Sequence, residues 1–390
     1  MSYPGLANHG NSNLCFLNSV VQALASTTEL REYFSKGGKG ERRVISSLAA
    51  LIEELNTPCQ RPTVLRATPL IEALQATGTS ASRLFNHAQQ DAHELLIIIL
   101  DAIEHELNSS NPHPRGLAAL LHPQSLLHPL KRSPFQGLMA NRIACAACGF
   151  SAGIRHSPTD HLSITLPFRS TCTLEESLKE YTILELLDDY VCRKCTLLNA
   201  QLELRRKVSS EKNRRSQRKR AETIEKKQLA AVSAAISEGQ PDRELEPLVE
   251  QALRPPPRIL TVHVSCSTVY GAGHLVKNPC RLVFPELLVL DPFTTTECLS
   301  ARAETPISSP SALVSVNPSR GRTPIAYPYR LLAAVVHIGS HAGGHYLAFR
   351  RAPNALWYRL SDHDVDPCSV QEVLNSNPTL LFYQRLGDNP

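Results

Sequence analysis

Residues 5–24 read Gly5-Leu6-Ala7-Asn8-His9-Gly10-Asn11-Ser12-Asn13-Leu14-Cys15-Phe16-Leu17-Asn18-Ser19-Val20-Val21-Gln22-Ala23-Leu24. Two textures meet at Cys15. Before it lie Gly, Asn and Ser, residues of turns. After it, Phe16, Leu17, Val20, Val21 and Leu24 recur at helical spacing, which predicts a helix of about three turns. Cys15 then sits at a helix N-terminus, where backbone N–H groups stabilise a thiolate and make it a better nucleophile. A nucleophilic cysteine still needs a general base. The leading candidate is His345, in the run Gly343-Gly344-His345-Tyr346 between two predicted strands.

Around that stretch the chain divides into two regions. Residues 41–55, 66–76 and 91–107 carry helical periodicity, with Leu95, Leu96, Ile99, Leu100 and Ile103 on one face of the last. Residues 108–134 are rich in Pro, His, Ser and Leu and read as a connecting loop. From about residue 135 short β-branched runs take over: 161–167, 259–264, 281–284, 329–338, 346–351, 357–360 and 379–384. Helices first and strands after predict an α+β fold. We expect a single catalytic domain over residues 1–388, helical to about 125 and strand-rich from 126. Two segments read as insertions. Residues 202–253 are charged and predict a solvated helix or hairpin, with a disordered loop as the competing reading. Residues 301–328 lack periodicity and predict disorder.

The chain has 390 residues, 42% of them hydrophobic, so it can bury a substantial core. Its longest apolar runs, Leu95–Leu100 and Leu331–Val336, are far below the ~20 residues of a spanning helix. No membrane span and no secretory signal are expected, and an intracellular location follows. The net charge is +5, but the segment 205–227 alone holds eleven Lys or Arg and three Glu, or +8, leaving −3 elsewhere. Nucleic-acid binding is not expected, since no aromatic residues interleave with those cations to stack on bases. The alternative is that this segment docks acidic partners of a zinc-stabilised interaction protein.

Eleven cysteines in a reducing compartment point to a metal or a nucleophile before disulfides. Cys145–Cys148 and Cys192–Cys195 form two CxxC units, a natural tetrahedral set for structural Zn²⁺. The separation suits two hairpins of a ribbon meeting across a sheet. A redox role for either unit is the lesser alternative. His337, His341 and His345 are spaced by four, but intervening glycines argue against a helical metal site.

Taken together, several motifs resemble those of the ubiquitin-specific proteases, in the same order. Gly5 to Asn11 and Cys15 to Gln22 resemble the cysteine box of that family. Gln89-Gln90-Asp91-Ala92-His93-Glu94 resembles its acidic and glutamine motif, and Phe135-Gln136-Gly137 with Cys145 resembles the entry to its zinc-ribbon fingers. Tyr329-Arg330-Leu331, His337-Ile338-Gly339 and Gly343 to Tyr346 are similar to its histidine box. Trp357 to Asp362 and Leu380 to Tyr383 complete the series. The resemblance covers about residues 5–385, apart from the two insertions.

It implies a papain-like fold with a helical thumb, a β-rich palm and zinc-bearing fingers. It also implies thiol-dependent hydrolysis of the isopeptide or peptide bond after the C-terminal glycine of ubiquitin. Cys15 is the implied nucleophile and His345 the implied base. Gln22, Gln90, Asp91, Glu94, Gly343, Gly344 and Tyr346 are the implied residues along the ubiquitin tail. Ser361 stands where most of the family has Asp or Asn, and Asp362 follows it. This Cys-His-Ser arrangement resembles the mitochondrial outer-membrane branch and its fungal relatives. That branch carries an N-terminal anchor, whereas this sequence starts at the cysteine box; an anchorless or truncated form, cytosolic or associated with the mitochondrial outer membrane, is expected. The family has one residue between its Gly-Asn pair and the nucleophile, where this chain has Ser12, Asn13 and Leu14. Asn8 is the implied oxyanion donor and Asn13 a possible substitute. The two extra residues motivate the alternative of a weak or inactive protein that binds ubiquitin without cleaving it.

Overall fold

A computed structural model describes residues 2–8, 13–35, 42–78, 84–85, 90–109, 133–182, 191–210, 256–270, 274–295, 299–302, 307, 327–340 and 343–387. The first region is helical, as its periodicity predicts. It contains β1 (Gly5–Leu6), α1 (Cys15–Leu24), α2 (Thr28–Ser35), α3 (Arg43–Leu55), β2 (Val64–Leu65), α4 (Thr68–Ala76) and α5 (Ala92–Ser109). Every residue of α1 is buried. Its apolar side chains meet those of α3, α4 and α5 in one core, which also takes in Ala333, Val335, Tyr346, Leu380 and Phe382 from the sheet.

The second region starts with β3 (Gly137–Ala144), β4 (Ser151–Thr159), β5 (Leu162–Thr165), β6 (Thr171–Thr173), α6 (Leu174–Tyr181) and α7 (Arg193–Ser210). Then come β7 (Ile259–Ser265), β8 (Ser267–Tyr270), β9 (His274–Lys277), β10 (Arg281–Val283) and β11 (Leu287–Val289). The chain closes with β12 (Pro328–Ser340), β13 (Gly343–Arg351), β14 (Trp357–Ser361), β15 (Asp364–Cys368), α8 (Val370–Leu374) and β16 (Pro378–Arg385). The main sheet has the order β15-β14-β13-β12-β16-β7-β5, with β11 beside the start of β12. Its central strands are apolar on both faces. Ala333 and Val335 join the helical core, while Ala334 and Val336 join a second core behind the sheet with Leu174, Leu178, Leu347 and Phe349. That is the period of two of a strand covered on both sides.

The helix α3 is held at both ends by charges from other elements. Its first N–H groups, on Val44 and Ile45, donate to the Glu106 carboxylate of α5 at 2.8 and 3.0 Å. At its other end, Arg350 of β13 donates to Leu55 O at 2.7 Å and Asn56 Oδ1 at 3.3 Å. An anion at the N-terminus and a cation at the C-terminus both complement the helix dipole. Arg350 is wholly buried, and desolvation pulls its pKa down to about 10, so it remains charged at neutrality. Its guanidinium also lies 5.5 Å from the centre of the Tyr3 ring.

Two expectations need restating. The second CxxC unit does not lie in a hairpin: Cys192 and Cys195 stand at the start of α7, which runs on to Ser210. The first unit does lie in a hairpin: Cys145 and Cys148 sit between β3 and β4, which pair antiparallel, although neither strand shows a clean alternation in sequence. Most of the proposed loop at 108–134, whose first two residues instead end α5, the rest of the charged insertion and most of 301–328 lie outside the described residues.

Arg350→Met removes the cation that caps α3 and leaves buried carbonyl groups without a donor. We expect a loss of about 1–3 kcal/mol, read as a lower midpoint in thermal or urea unfolding. An unchanged midpoint would contradict this account of the helix end.

Candidate active site

Cys15 opens α1, and α1 packs on β13. The backbone amides of Tyr346, one residue beyond His345, and then of Phe16 and Cys15 itself pull the Cys15 thiol down. These contacts favour a thiolate. Burial opposes them and is the larger effect, and the Asp362 charge adds to it, so the thiol is held above its ordinary value. The helix N-terminus therefore does not by itself activate Cys15, contrary to the expectation from sequence. At 5% exposure, desolvation outweighs the local dipoles.

His345 lies near the start of β13 and Ser361 at the end of β14. His345 Nε2 and Ser361 Oγ are 2.8 Å apart. Asp362 has a different set of partners. Its Oδ2 accepts from Asn8 Nδ2 at 2.8 Å and its Oδ1 from Asn18 Nδ2 at 2.7 Å. Asn8 Oδ1 in turn accepts from Leu14 N at 3.1 Å, and Leu6 N donates to Asp362 O at 2.8 Å. Asp362 adopts a left-handed φ of 53° to make this turn. Gly5 passes so close beneath it that a Cβ there would lie 2.4 Å from His363 O.

Asn8 is thus fixed to Leu14 across the two extra residues. Asn13 absorbs part of the insertion with a left-handed φ of 46°, a conformation that Asn tolerates, and is exposed. His9 to Ser12 lie outside the described residues. Asn18 was not singled out from sequence. Its signal was available: an Asn one turn after Cys15, inside a largely apolar helix.

The residues implied along the ubiquitin tail divide. Asp91 is exposed and caps α5, its Oδ1 accepting from His93 N at 2.6 Å. Glu94 is exposed on the same first turn, and Gln90 precedes it half-buried. Gly343 and Gly344 face Ser340 and Gly339 across the β12–β13 ladder. A Cβ on Gly344 would meet Ile338 O at 2.3 Å, so this approach requires glycine. Two expectations are corrected. Gln22 is 1% exposed and donates to Pro4 O at 3.1 Å, so it tethers the N-terminal segment and offers no surface to a ligand. The Tyr346 side chain is also buried. Its ring lies 4.6 Å from His337, and burial pushes its hydroxyl well above the ordinary tyrosine value.

Beside α5 three imidazoles cluster. His93 stacks on His263 at 3.7 Å and meets His161 edge-on at 4.5 Å. Burial first, then the repulsion of His263 and His161, bring His93 down to about 4, with Asp91 opposing. His161 and His263 are lowered too, each chiefly by burial.

At the far end of the β-rich region four sulfurs converge. Cys145 and Cys195 are 3.7 Å apart, and Cys148 and Cys192 3.5 Å. All four lie within 4.8 Å of one another, which suits a metal ion. Backbone N–H groups of Cys148 and Ala147 bring the Cys145 thiol down to about 7.

The ubiquitin carboxyl-terminal hydrolase family model matches residues 4–383, nearly the whole chain and every element of this site. The chain belongs to that family. As a ubiquitin carboxyl-terminal hydrolase it is a cysteine-type enzyme, a thiol-dependent deubiquitinase. It is 27% identical to ubiquitin carboxyl-terminal hydrolase 30 of Xenopus tropicalis, over 99% of this chain and 82% of that protein. It is 25% identical to ubiquitin carboxyl-terminal hydrolase 27 of Arabidopsis thaliana, over 98% and 85%. With ubiquitin carboxyl-terminal hydrolase 16 of Emericella nidulans the identity is 26%, over 99% and 68%. Among solved structures, the SAGA Ubp8/Sgf11/Sus1/Sgf73 DUB module bound to ubiquitin aldehyde superimposes with a TM-score of 0.62. At 19% identity, covering 99% of this chain and 70% of that one, this likeness establishes the fold.

The histidine cluster makes stability pH-dependent. Its folded pKa values lie below the ordinary value, so the stabilisation of the neutral rings is complete above about 6.5. It is lost as pH falls through the folded value, about 4 for His93. The thermal midpoint should fall over that window, and His93→Phe, which keeps a stacking ring, should flatten the slope. Identical pH profiles for the two proteins would refute this.

Proposed function

We propose that Cys15, His345 and Ser361 are the reacting and orienting groups of this deubiquitinase, acting on the bond after the last glycine of ubiquitin. The observation that carries the reading is a single strand: β13 presents His345 to Ser361 at 2.8 Å and packs on α1, the helix that Cys15 opens. Since the resting thiol is protonated, attack requires a base. With its Nε2–H donated to Ser361 Oγ, His345 leaves Nδ1 to take the Cys15 proton. The sulfur then adds to the scissile carbonyl. Asn8 and the first N–H groups of α1 are the donors for the developing oxyanion. His345 returns its proton to the departing amine as the C–N bond breaks, leaving a thioester. Water, deprotonated by His345, hydrolyses the thioester, releasing the ubiquitin carboxylate and restoring the thiol.

Asp362 has a separate task in this scheme. Bonded to Asn8 and Asn18, it positions the oxyanion donor and the nucleophile helix, and does not orient His345. Asp91 and Glu94, exposed at the start of α5, are suited to basic residues of the ubiquitin tail. The glycines at 343 and 344 are suited to a channel that admits Gly-Gly and excludes bulkier peptides.

For the four-cysteine cluster we propose structural Zn²⁺. Tetrahedral Zn–S bonds of ~2.3 Å put sulfurs ~3.8 Å apart, close to the two separations given above. The ion would join the β3–β4 hairpin to the start of α7, and four thiolates leave it no open position for substrate. Association with the mitochondrial outer membrane is likewise a proposal, resting on the Cys-His-Ser pattern. No described helix is long and apolar enough to cross a membrane.

Ubiquitin bearing a C-terminal electrophile tests the reading. The wild type, carrying about one zinc per chain by atomic absorption, should form a covalent adduct, and Cys15→Ala should form none. A folded, zinc-loaded wild type without an adduct would overturn it and leave a ubiquitin-binding protein disabled by the extra residues before Cys15.

The two neighbouring residues should separate by kinetics. Ser361→Ala should lower kcat on the order of 10- to 100-fold and shift the acidic limb of the pH–rate profile. Asp362→Ala should cost ~10²-fold or more without moving that limb. A shifted limb in Asp362→Ala alone would exchange the two assignments.

A further inference from the structure

We infer that Lys277 is a positioning residue for the histidine strand: its ammonium holds the edge of β12 opposite His345, where no described strand runs alongside. β12 has β16 along one edge only as far as Val336, which pairs with Pro378. Pro378 starts β16 and has no N–H to donate. Beyond that point β12 continues through His337, Ile338, Gly339 and Ser340, with β13 on its other edge. These are the residues opposite Tyr346, His345, Gly344 and Gly343. No described strand covers their second edge.

Two carbonyls there, two residues apart and so on the same edge of the strand, belong to His337 and Gly339. Lys277 Nζ donates to both, at 3.0 Å each. Bonds from an ammonium to carbonyls are stronger than amide–carbonyl ones. The root of Lys277 is itself fixed. The next residue, Asn278, is buried. Its N–H donates to Cys266 O at 2.7 Å and its Nδ2 to Leu166 O at 2.9 Å.

The sequence explains why an outside donor is needed. Glycines at 339 and 344 are demanded by close approach, because a Cβ on Gly339 would fall 2.5 Å from Gly343 O and one on Gly344 2.3 Å from Ile338 O. Gly339 also holds a φ of +129°. Glycines bring conformational freedom and no side chains to pack, so these residues contribute no side-chain contacts that hold the strand carrying His345. Lys277 supplies that constraint from a rooted position on β9, and couples the β8–β9 hairpin to the register of the histidine. Its effect on catalysis rests on the reading of His345 as the base.

The test compares Lys277→Met, which keeps the apolar stem without donors, with Lys277→Arg. Three quantities are measured: kcat and KM on a fluorogenic ubiquitin C-terminal reporter, the thermal midpoint, and the pH dependence of Cys15 alkylation by iodoacetamide, followed on the Cys15 peptide by mass spectrometry. Lys277→Met should lower kcat about 10- to 100-fold, the usual cost of a misplaced catalytic group. KM should stay within about twofold, and the alkylation midpoint should move to higher pH as the thiolate loses its imidazolium partner. Lys277→Arg should recover most of both. Wild-type kcat and alkylation in Lys277→Met would overturn the inference. So would an Arg variant as poor as Met with both thermal midpoints lowered, which would mark a purely structural lysine. Should the wild type not turn over ubiquitin, the functional reading fails by itself, and the alkylation profiles still decide the role of Lys277.

Discussion

The geometry of the site depends on one half-buried carboxylate and the two amides that bracket it. Asp362 binds Asn8 through one oxygen and Asn18 through the other. Asn8 lies on the segment after β1, Asn18 one turn into α1, and Asp362 in the turn between β14 and β15. Three stretches far apart in sequence are thereby set relative to one another around Cys15. The backbone reinforces the arrangement, since Leu6 N donates to Asp362 O, and Gly5 provides the clearance. A charged acceptor shared by two neutral amides gives charge-assisted hydrogen bonds without burying a second ion.

This arrangement explains how the chain accommodates two departures that could each disable a hydrolase. Extra residues precede the nucleophile, yet Asn8 spans them by accepting from Leu14 N, and Asn13 takes a left-handed conformation. A serine stands beside His345, yet a neutral hydroxyl suffices to fix a ring orientation. In the proposed scheme the orienting role that a carboxylate fills in a Ser-His-Asp triad falls to Ser361, and Asp362 instead ties Asn8 to Asn18.

Much of this was legible in the sequence. The helices at 15–24, 43–55 and 92–109 follow from apolar residues at a period of 3.6, and β12 and β16 from β-branched runs between turn residues. β3 and β4 were not, because GLMANRIA and SAGIRHSPT show no clean alternation. Both strands are mostly half-buried or exposed, and pairing with each other holds them more than any core does. Cys15, His345 and Ser361 could be named because family motifs surround them. Gln22 could not be placed correctly: a spacing of seven puts it on the face of Cys15, but α1 is buried all round, so its face says nothing about access. The links made by Asn18 and Lys277 depend on contacts across 344 and about 60 residues, which no local pattern encodes.

The burial of Cys15 has a consequence beyond turnover. Peroxide attacks thiolates, and its irreversible products, sulfinic and sulfonic acids, would end activity for good. A sulfur that is 5% exposed and protonated at rest is a poor target. In the proposed scheme that proton leaves when His345 takes it. The desolvation that shields the sulfur from oxidants is therefore also what makes it dependent on its base.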